Sequence, residues 1–247
     1  MIRTMAPVFL TAEWRTLAVL NYAIDPAALA PWTPRGVELD LWQGDAVVSL
    51  VGFLFRGCRV FGVAWPGLRD FEEVNLRFYV RRKAGDGWRR GVVFVKEIVP
   101  SRVVALAARA FYNERYVAMP MRHRVAEGCA EFGWRHRGKW EGLSATTRGE
   151  LAPIAPGSEE EFIFEHYWGY ARRRDGGVTE YAVEHVPWRV WQAESAALDC
   201  DAARLYGPAF ADALARPPRS AFVAEGSAVC VRRGVRCAVA LDSGGAI

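Results

Sequence analysis

Between Phe71 and Arg82 the chain reads FEEVNLRFYVRR, and this strict alternation constrains the fold more than any other stretch. A period of two puts Val74, Leu76, Phe78 and Val80 on one face of a strand and Glu73, Asn75, Arg77 and Tyr79 on the other. The apolar row must be covered. The polar row has two destinations: solvent, or the inside of a barrel, where a carboxylate and a guanidinium hold a substrate in register.

The flanking sequence repeats the β pattern. Val37 to Trp42 and Ala46 to Phe55 are β-rich runs joined by Gln43-Gly44-Asp45, which predicts a tight hairpin. AGDGW turns the alternating strand into RGVVFVKEIV. PSRVVALAARAFYN predicts a helix capped by Ser101, with Val103, Leu106, Ala107 and Ala110 as its apolar stripe. Further β segments are GCAEFGWRH, GLSATTRGEL, EFIFEHYWGYARR and TEYAVEHVPWRVWQAE, with APIAPGSEEE as the main interior loop. DCDAARLYGPAFADALA predicts a helix broken at Gly207-Pro208, and SAFVAEGSAVCVRRGVRCAVAL returns to strands. Antiparallel β with roughly two helices is not the regular alternation that a doubly wound sheet requires. The expectation is a mainly β (α+β) domain.

At 247 residues and 51% hydrophobic the chain can bury one full core, so residues 1–247 are expected to form a single domain. The 32 basic and 28 acidic residues leave a net charge of +4, with the basic residues scattered, so no nucleic-acid partner is expected. Five cysteines, an odd number without a CxxC pair, favour reduced thiols in the cytoplasm. The start lacks a signal-peptide apolar core, and no later run reaches the roughly 18 apolar residues of a membrane helix, so no membrane association is expected.

Candidate chemistry clusters in a few places. The helix carries a second stripe of Arg102, Arg109, Tyr112, Asn113 and Tyr116, which is either a wet face or a grip for a carboxylate. Lys96 shares strand parity with Val92, Phe94 and Ile98. Burial there would depress its pKa toward a Schiff-base nucleophile, while snorkelling or an edge position is the commoner outcome. His185 is a candidate general acid or base or a packed histidine beside Trp188, and neither it nor His166 has metal-ligand spacing. No GxSxG, GxGxxG or Walker loop occurs, and neither metal nor cofactor is expected.

The order FEEVNLRFYV, DGWRRGVVFVKEIVPSRVVALAARAFYNERYVAMPM and VEHVPWRV resembles the YqjF-like family of uncharacterised proteins, a branch of the acetoacetate decarboxylase-like superfamily. The likeness runs from EWRTLAVLNYAIDPAALAPW to PPRSAFVAEGSAVCV. It implies a cone-shaped antiparallel β-barrel with peripheral helices and a small-molecule cavity. True decarboxylases carry a glycine-aromatic-proline followed by two lysines. The matching positions here are Ala118-Met119-Pro120-Met121-Arg122, so Met121 stands where the Schiff-base lysine would be. A thioether cannot form an imine, and Arg122 is never deprotonated. The family's acidic residue falls at Glu72 or Glu73, and parity favours Glu73.

The expectation is a small-molecule binding protein, its ligand an organic acid. Arg77 or Arg109 receives the anion, Tyr112 and Asn113 orient it, Met121 and Arg122 lie nearby, and Glu73 and His185 are the acid-base candidates. Imine-free lyase, hydratase or isomerase chemistry, a non-catalytic sensor or carrier, a lyase using Lys96, and a scaffold with a filled cavity are the alternatives. A homo-oligomer is left open.

Overall fold

The structure, a computed structural model, describes residues 6–237. Its strands are β1 (Val8–Ile24), β2 (Glu38–Leu39), β3 (Ala46–Val60), β4 (Phe71–Ala84), β5 (Gly87–Val99), β6 (Tyr116–Ala118), β7 (Met121–Ala126), β8 (Cys129–His136), β9 (Lys139–Pro153), β10 (Trp168–Arg172), β11 (Val178–His185), β12 (Arg189–Asp199), β13 (Ser220–Arg232) and β14 (Val235–Cys237). Its helices are α1 (Pro26–Leu29), α2 (Arg102–Tyr112), α3 (Glu159–Phe164), α4 (Ala202–Tyr206) and α5 (Pro208–Leu214). None of the described helices is long and apolar enough to cross a membrane.

Strands β11-β10-β5-β4-β3-β1-β13 form a ring, closed because β11 pairs with both β10 and β13. Most pairs are antiparallel; β10 and β6 each run parallel to β5. From β13 the sheet continues through β12, β9, β8 and β7 and returns over the outside of the ring. There β8 approaches β3 so closely that a Cβ at Gly52 would lie 2.6 Å from the Phe132 ring.

The ring therefore has two apolar faces. Leu17, Val19, Val51, Phe53, Phe55 and Phe222 pack inside. Ala18, Leu20, Val48, Leu50, Phe132 and Trp134 form the core between ring and outer layer, closed by α4 and α5. This is why β3 is buried without interruption from Ala46 to Phe55, a run whose sequence shows no alternation. Val74, Leu76, Phe78 and Val80 pack on the outer core. The polar row of β4 faces inward, and Glu73 is only 3% exposed.

Several local expectations are corrected. The turn at 43–44 forms, with positive φ at Gln43 and Gly44 and a Trp42–Asp45 bridge. The strand before it shrinks to β2, however, and pairs with β4. EFIFEHYWGYARR is a helix followed by a strand. Ser158 accepts from the Glu161 N–H at 3.2 Å, and Glu159, Glu160 and Glu161 sit at the positive end of α3, so capping overrides β propensity. The interior loop narrows to 154–158. TEYAVEHVPWRVWQAE splits into β11 and β12 around Pro187. The described residues hold five helices, four of them seven residues or shorter. The predicted stripe of α2 is not core: Val103 is 60% and Leu106 63% exposed, and only Ala105 and Tyr112 are buried. The last residues of the terminal β segment lie outside the described residues.

Candidate functional site

The ring encloses a cavity of about 470 Å³, within the range of about 300–1,000 Å³ that small-molecule sites occupy. Its opening is marked by exposed lining side chains: Phe61, Trp65, Val103 and Phe111. Further in, Trp14, Phe53, Phe55 and Phe164 form an aromatic wall.

The polar end is built from neighbouring strands. From β4, Glu73 accepts from the Asn75 amide at 3.0 Å and from the Tyr116 hydroxyl at 2.9 Å. Glu114, just after α2, accepts from the Tyr181 hydroxyl at 2.8 Å. The Tyr181 ring reaches it across Gly169, its register partner on β10, where any Cβ would sit 2.1 Å from the ring. Glu97 completes the group from β5, its Oε2 buried without a partner. Burial pushes the carboxyls of Glu73 and Glu114 up to about 7. It lifts Glu97 well above the usual range, and the neighbouring Glu114 and Glu73 add to that rise.

Glu97 reaches the cavity through a β-bulge. Leu76 pairs with Lys96 and Arg77 with Phe94, so Val95 is an extra residue on β5. Val93, Val95 and Ile98 belong to the outer core, whereas Val92, Phe94 and Glu97 line the cavity. Lys96 is turned away from it: its ammonium donates to the Leu205 carbonyl and lies 5.8 Å from the Tyr206 ring centroid. Burial, followed by the nearby Arg115, lowers its pKa. The parity that grouped Lys96 with Val92 and Phe94 is thus overturned, because the bulge inverts facing midway along the strand.

Of the residues singled out in the sequence, the structure gathers Glu73, Asn75, Arg77, Tyr112, Tyr116 and His185 around the cavity. The Tyr112 hydroxyl donates to the Arg232 carbonyl at 3.1 Å, so its ring serves as wall. His185 stacks on Trp188 at 4.1 Å, and burial lowers its pKa. Arg109 is exposed and donates to the Tyr116 carbonyl at 2.6 Å. Asn113 caps α2 in the left-handed region, φ 59°, and donates to the Arg172 carbonyl. Met121 packs on the outer core, and the Arg122 guanidinium covers Trp140 at 4.3 Å. None of these last four lines the cavity. Glu72 also faces away, its carboxylate 3.6 Å from His123.

The sequence reading missed Glu97, Glu114 and His166 as cavity residues. His166 Nε2 lies 3.1 Å from Asp40 Oδ2, which also accepts from Arg90 Nε at 2.7 Å. Burial depresses the His166 pKa to about 4. Burial pushes Asp40 up, but the His166 and Arg90 hydrogen bonds outweigh it and hold the carboxyl at about 2. Only the alternation of β4 could have signalled this end of the cavity. Among the described residues no group of three or more His, Cys, Asp or Glu side chains could hold a metal ion.

Known proteins agree with this architecture. A protein of Bacillus subtilis (strain 168), "Uncharacterized protein YqjF", is 26% identical over 186 residues, covering 74% of this chain and 75% of that one. The acetoacetate decarboxylase of Legionella pneumophila superposes with a TM-score of 0.67 at 14% identity, covering 96% of this chain and 90% of that one. The enduracididine biosynthesis enzyme MppR, in its complex with pyruvate, gives 0.66 at 14% identity, covering 95% and 92%. The model of DUF2071, described as "Uncharacterized conserved protein (COG2071)", matches residues 11–228. The chain therefore belongs to the DUF2071 family and carries the acetoacetate decarboxylase-like fold.

Proposed function

We propose that the protein binds a small molecule in the ring cavity, its apolar body against the aromatic wall and its polar head at the carboxyl end, with Glu73 exchanging a proton with it. The observation that carries this reading is a 3% exposed Glu73, hydrogen-bonded by Asn75 and Tyr116, at the polar end of an open cavity. A carboxyl held near pH 7 is divided between its two forms at neutrality, which suits a general acid or base. Lys96 is directed to the outer core, so the chemistry is imine-free: proton transfer of the lyase, hydratase or isomerase type. A carrier would use the same cavity without turnover. Glu73→Gln separates the two, since it abolishes proton transfer and spares apolar binding.

A second reading, an organic acid, is favoured by Arg77. Its Nε is buried without a partner and it is the one guanidinium lining the described cavity. The pyruvate complex of MppR supports this class by fold analogy.

The test is a thermal-shift screen of small acids, amines and alcohols on aryl-alkyl bodies, run in parallel on Ala108→Trp, which fills the cavity from the half-buried face of α2. Compounds should raise the wild-type Tm and leave the variant unmoved. Equal shifts in both proteins, or none in the wild type, would contradict the reading.

A further inference from the structure

We infer that the ligand's head is a protonated amine bearing N–H donors, held between Asn75 and Glu97. This rests on the cavity reading above and names the ligand class for the same site.

The argument is an imbalance of donors and acceptors. Asn75 and Glu97 are register partners on β4 and β5, so their side chains project side by side, with Cβ atoms about 4.5–5.5 Å apart. Each is 2% exposed. Asn75 commits its NH₂ to Glu73, leaving Oδ1 buried and unpartnered, and Glu97 Oε2 is equally alone, acceptor-only in the ionised form that a bound cation favours. His166 Nδ1 is a third unpartnered atom on the lining, an acceptor when Nε2–H is given to Asp40. Against these stand two unpartnered donors, Trp14 Nε1 in the aromatic wall and, at the polar end, Arg77 Nε, whose guanidinium is turned toward the Ile163 carbonyl and the Tyr79 ring. A carboxylate ligand would add acceptors where they are already in excess, beside three glutamates. An alcohol brings one donor. An ammonium brings three together with a compensating charge. The aromatic wall accommodates its apolar body.

The charge state follows from the surroundings. The titratable and charged groups lining the cavity are Glu73 and Arg77 from β4, Glu97 from β5, Glu114 after α2, Tyr112 from α2, Tyr116 from β6, Tyr181 and His185 from β11, His166 after α3 and Cys58 from β3. An ammonium favours ionised carboxylates, so its binding releases protons and tightens as pH rises through the range where Glu73 and Glu114 titrate.

Calorimetric titration of the protein with phenylbutylamine, phenylbutyrate, phenylbutanol and phenylbutyl-trimethylammonium tests this. At about pH 8 the primary amine should bind at least about tenfold more tightly than the other three. Its affinity should fall at about pH 6, and buffers of different ionisation enthalpy should reveal proton release on binding. Glu97→Gln should cost the amine about tenfold and leave the alcohol unchanged. Phenylbutyrate binding as tightly as the amine, trimethylammonium matching it, or an unchanged amine affinity in Glu97→Gln would overturn the inference while leaving the cavity reading in place. Should Glu97→Gln fail to fold, the four-probe comparison on the wild type decides alone. Binding of none of the four would overturn both.

Discussion

Strands β4 and β5 lie side by side in the ring, yet they direct their charged groups by different rules. β4 alternates without interruption, so Glu73, Asn75 and Arg77 all face the cavity. β5 alternates only as far as Phe94, where the extra Val95 inverts it, so Glu97 points in and Lys96 points out. Had the strand kept its parity, an amine would stand in place of that carboxyl. The way the strand accommodates Val95, as a bulge and not by continued alternation, thus decides which charged group reaches the cavity, and composition does not.

Removing Val95 should cost the most stability. The deletion lets Lys96 follow Phe94 opposite Leu76, so Lys96 still faces out and Glu97 still faces in, but the fully packed Val95 side chain is lost from the outer core and the Lys96 stem must take its place. A loss of about 3 kcal/mol is expected, read as a lower thermal transition or soluble yield. A variant of near wild-type Tm would show that the extra residue contributes nothing to the outer core.

Glu73→Gln sharpens the same contrast by asking what the inward carboxyl costs. Its folded pKa lies near 7, above the ordinary 4.5, so the native state holds a proton the unfolded chain has lost, and stability falls as pH rises between those values. Glutamine does not titrate. The variant should therefore gain stability over wild type between about pH 5 and pH 8, on the order of 2 kcal/mol, or roughly 4–8 °C in Tm. His166, depressed to about 4, contributes with the opposite sign, and the difference between the two proteins cancels it. A pH-independent difference in Tm would contradict this.

Arg109→Ala should do least. The side chain is exposed and holds only the Tyr116 carbonyl, so stability should change by no more than about 0.5 kcal/mol and amine affinity by less than about twofold. A larger loss of affinity would place Arg109 at the ligand after all.

The sequence showed where regularity held. Unbroken alternation in β4 gave both faces of that strand, and the capping of α2 by Ser101 and the break at Gly207-Pro208 were equally legible. The destination of the polar row was open, because a polar face has the same sequence whether it meets water or a cavity. Glu97 was hidden by the bulge, which leaves no mark in a run as apolar as VVFVKEIV. Glu114 was hidden because its direction depends on how the chain leaves the left-handed cap at Asn113. Arg109, Asn113, Met121 and Arg122 were grouped by proximity in the chain, which the turn after α2 and the crossing to the outer layer disperse.

Carbon-13 titration of the glutamate side-chain carboxyls, with Glu73 assigned by its absence in Glu73→Gln, tests the account most directly. A midpoint near pH 7 for Glu73 is the result expected of a desolvated carboxyl at the polar end of the ring cavity. A midpoint at the ordinary value of 4.5 would mean a hydrated side chain, and the proton-exchanging site described here would not exist.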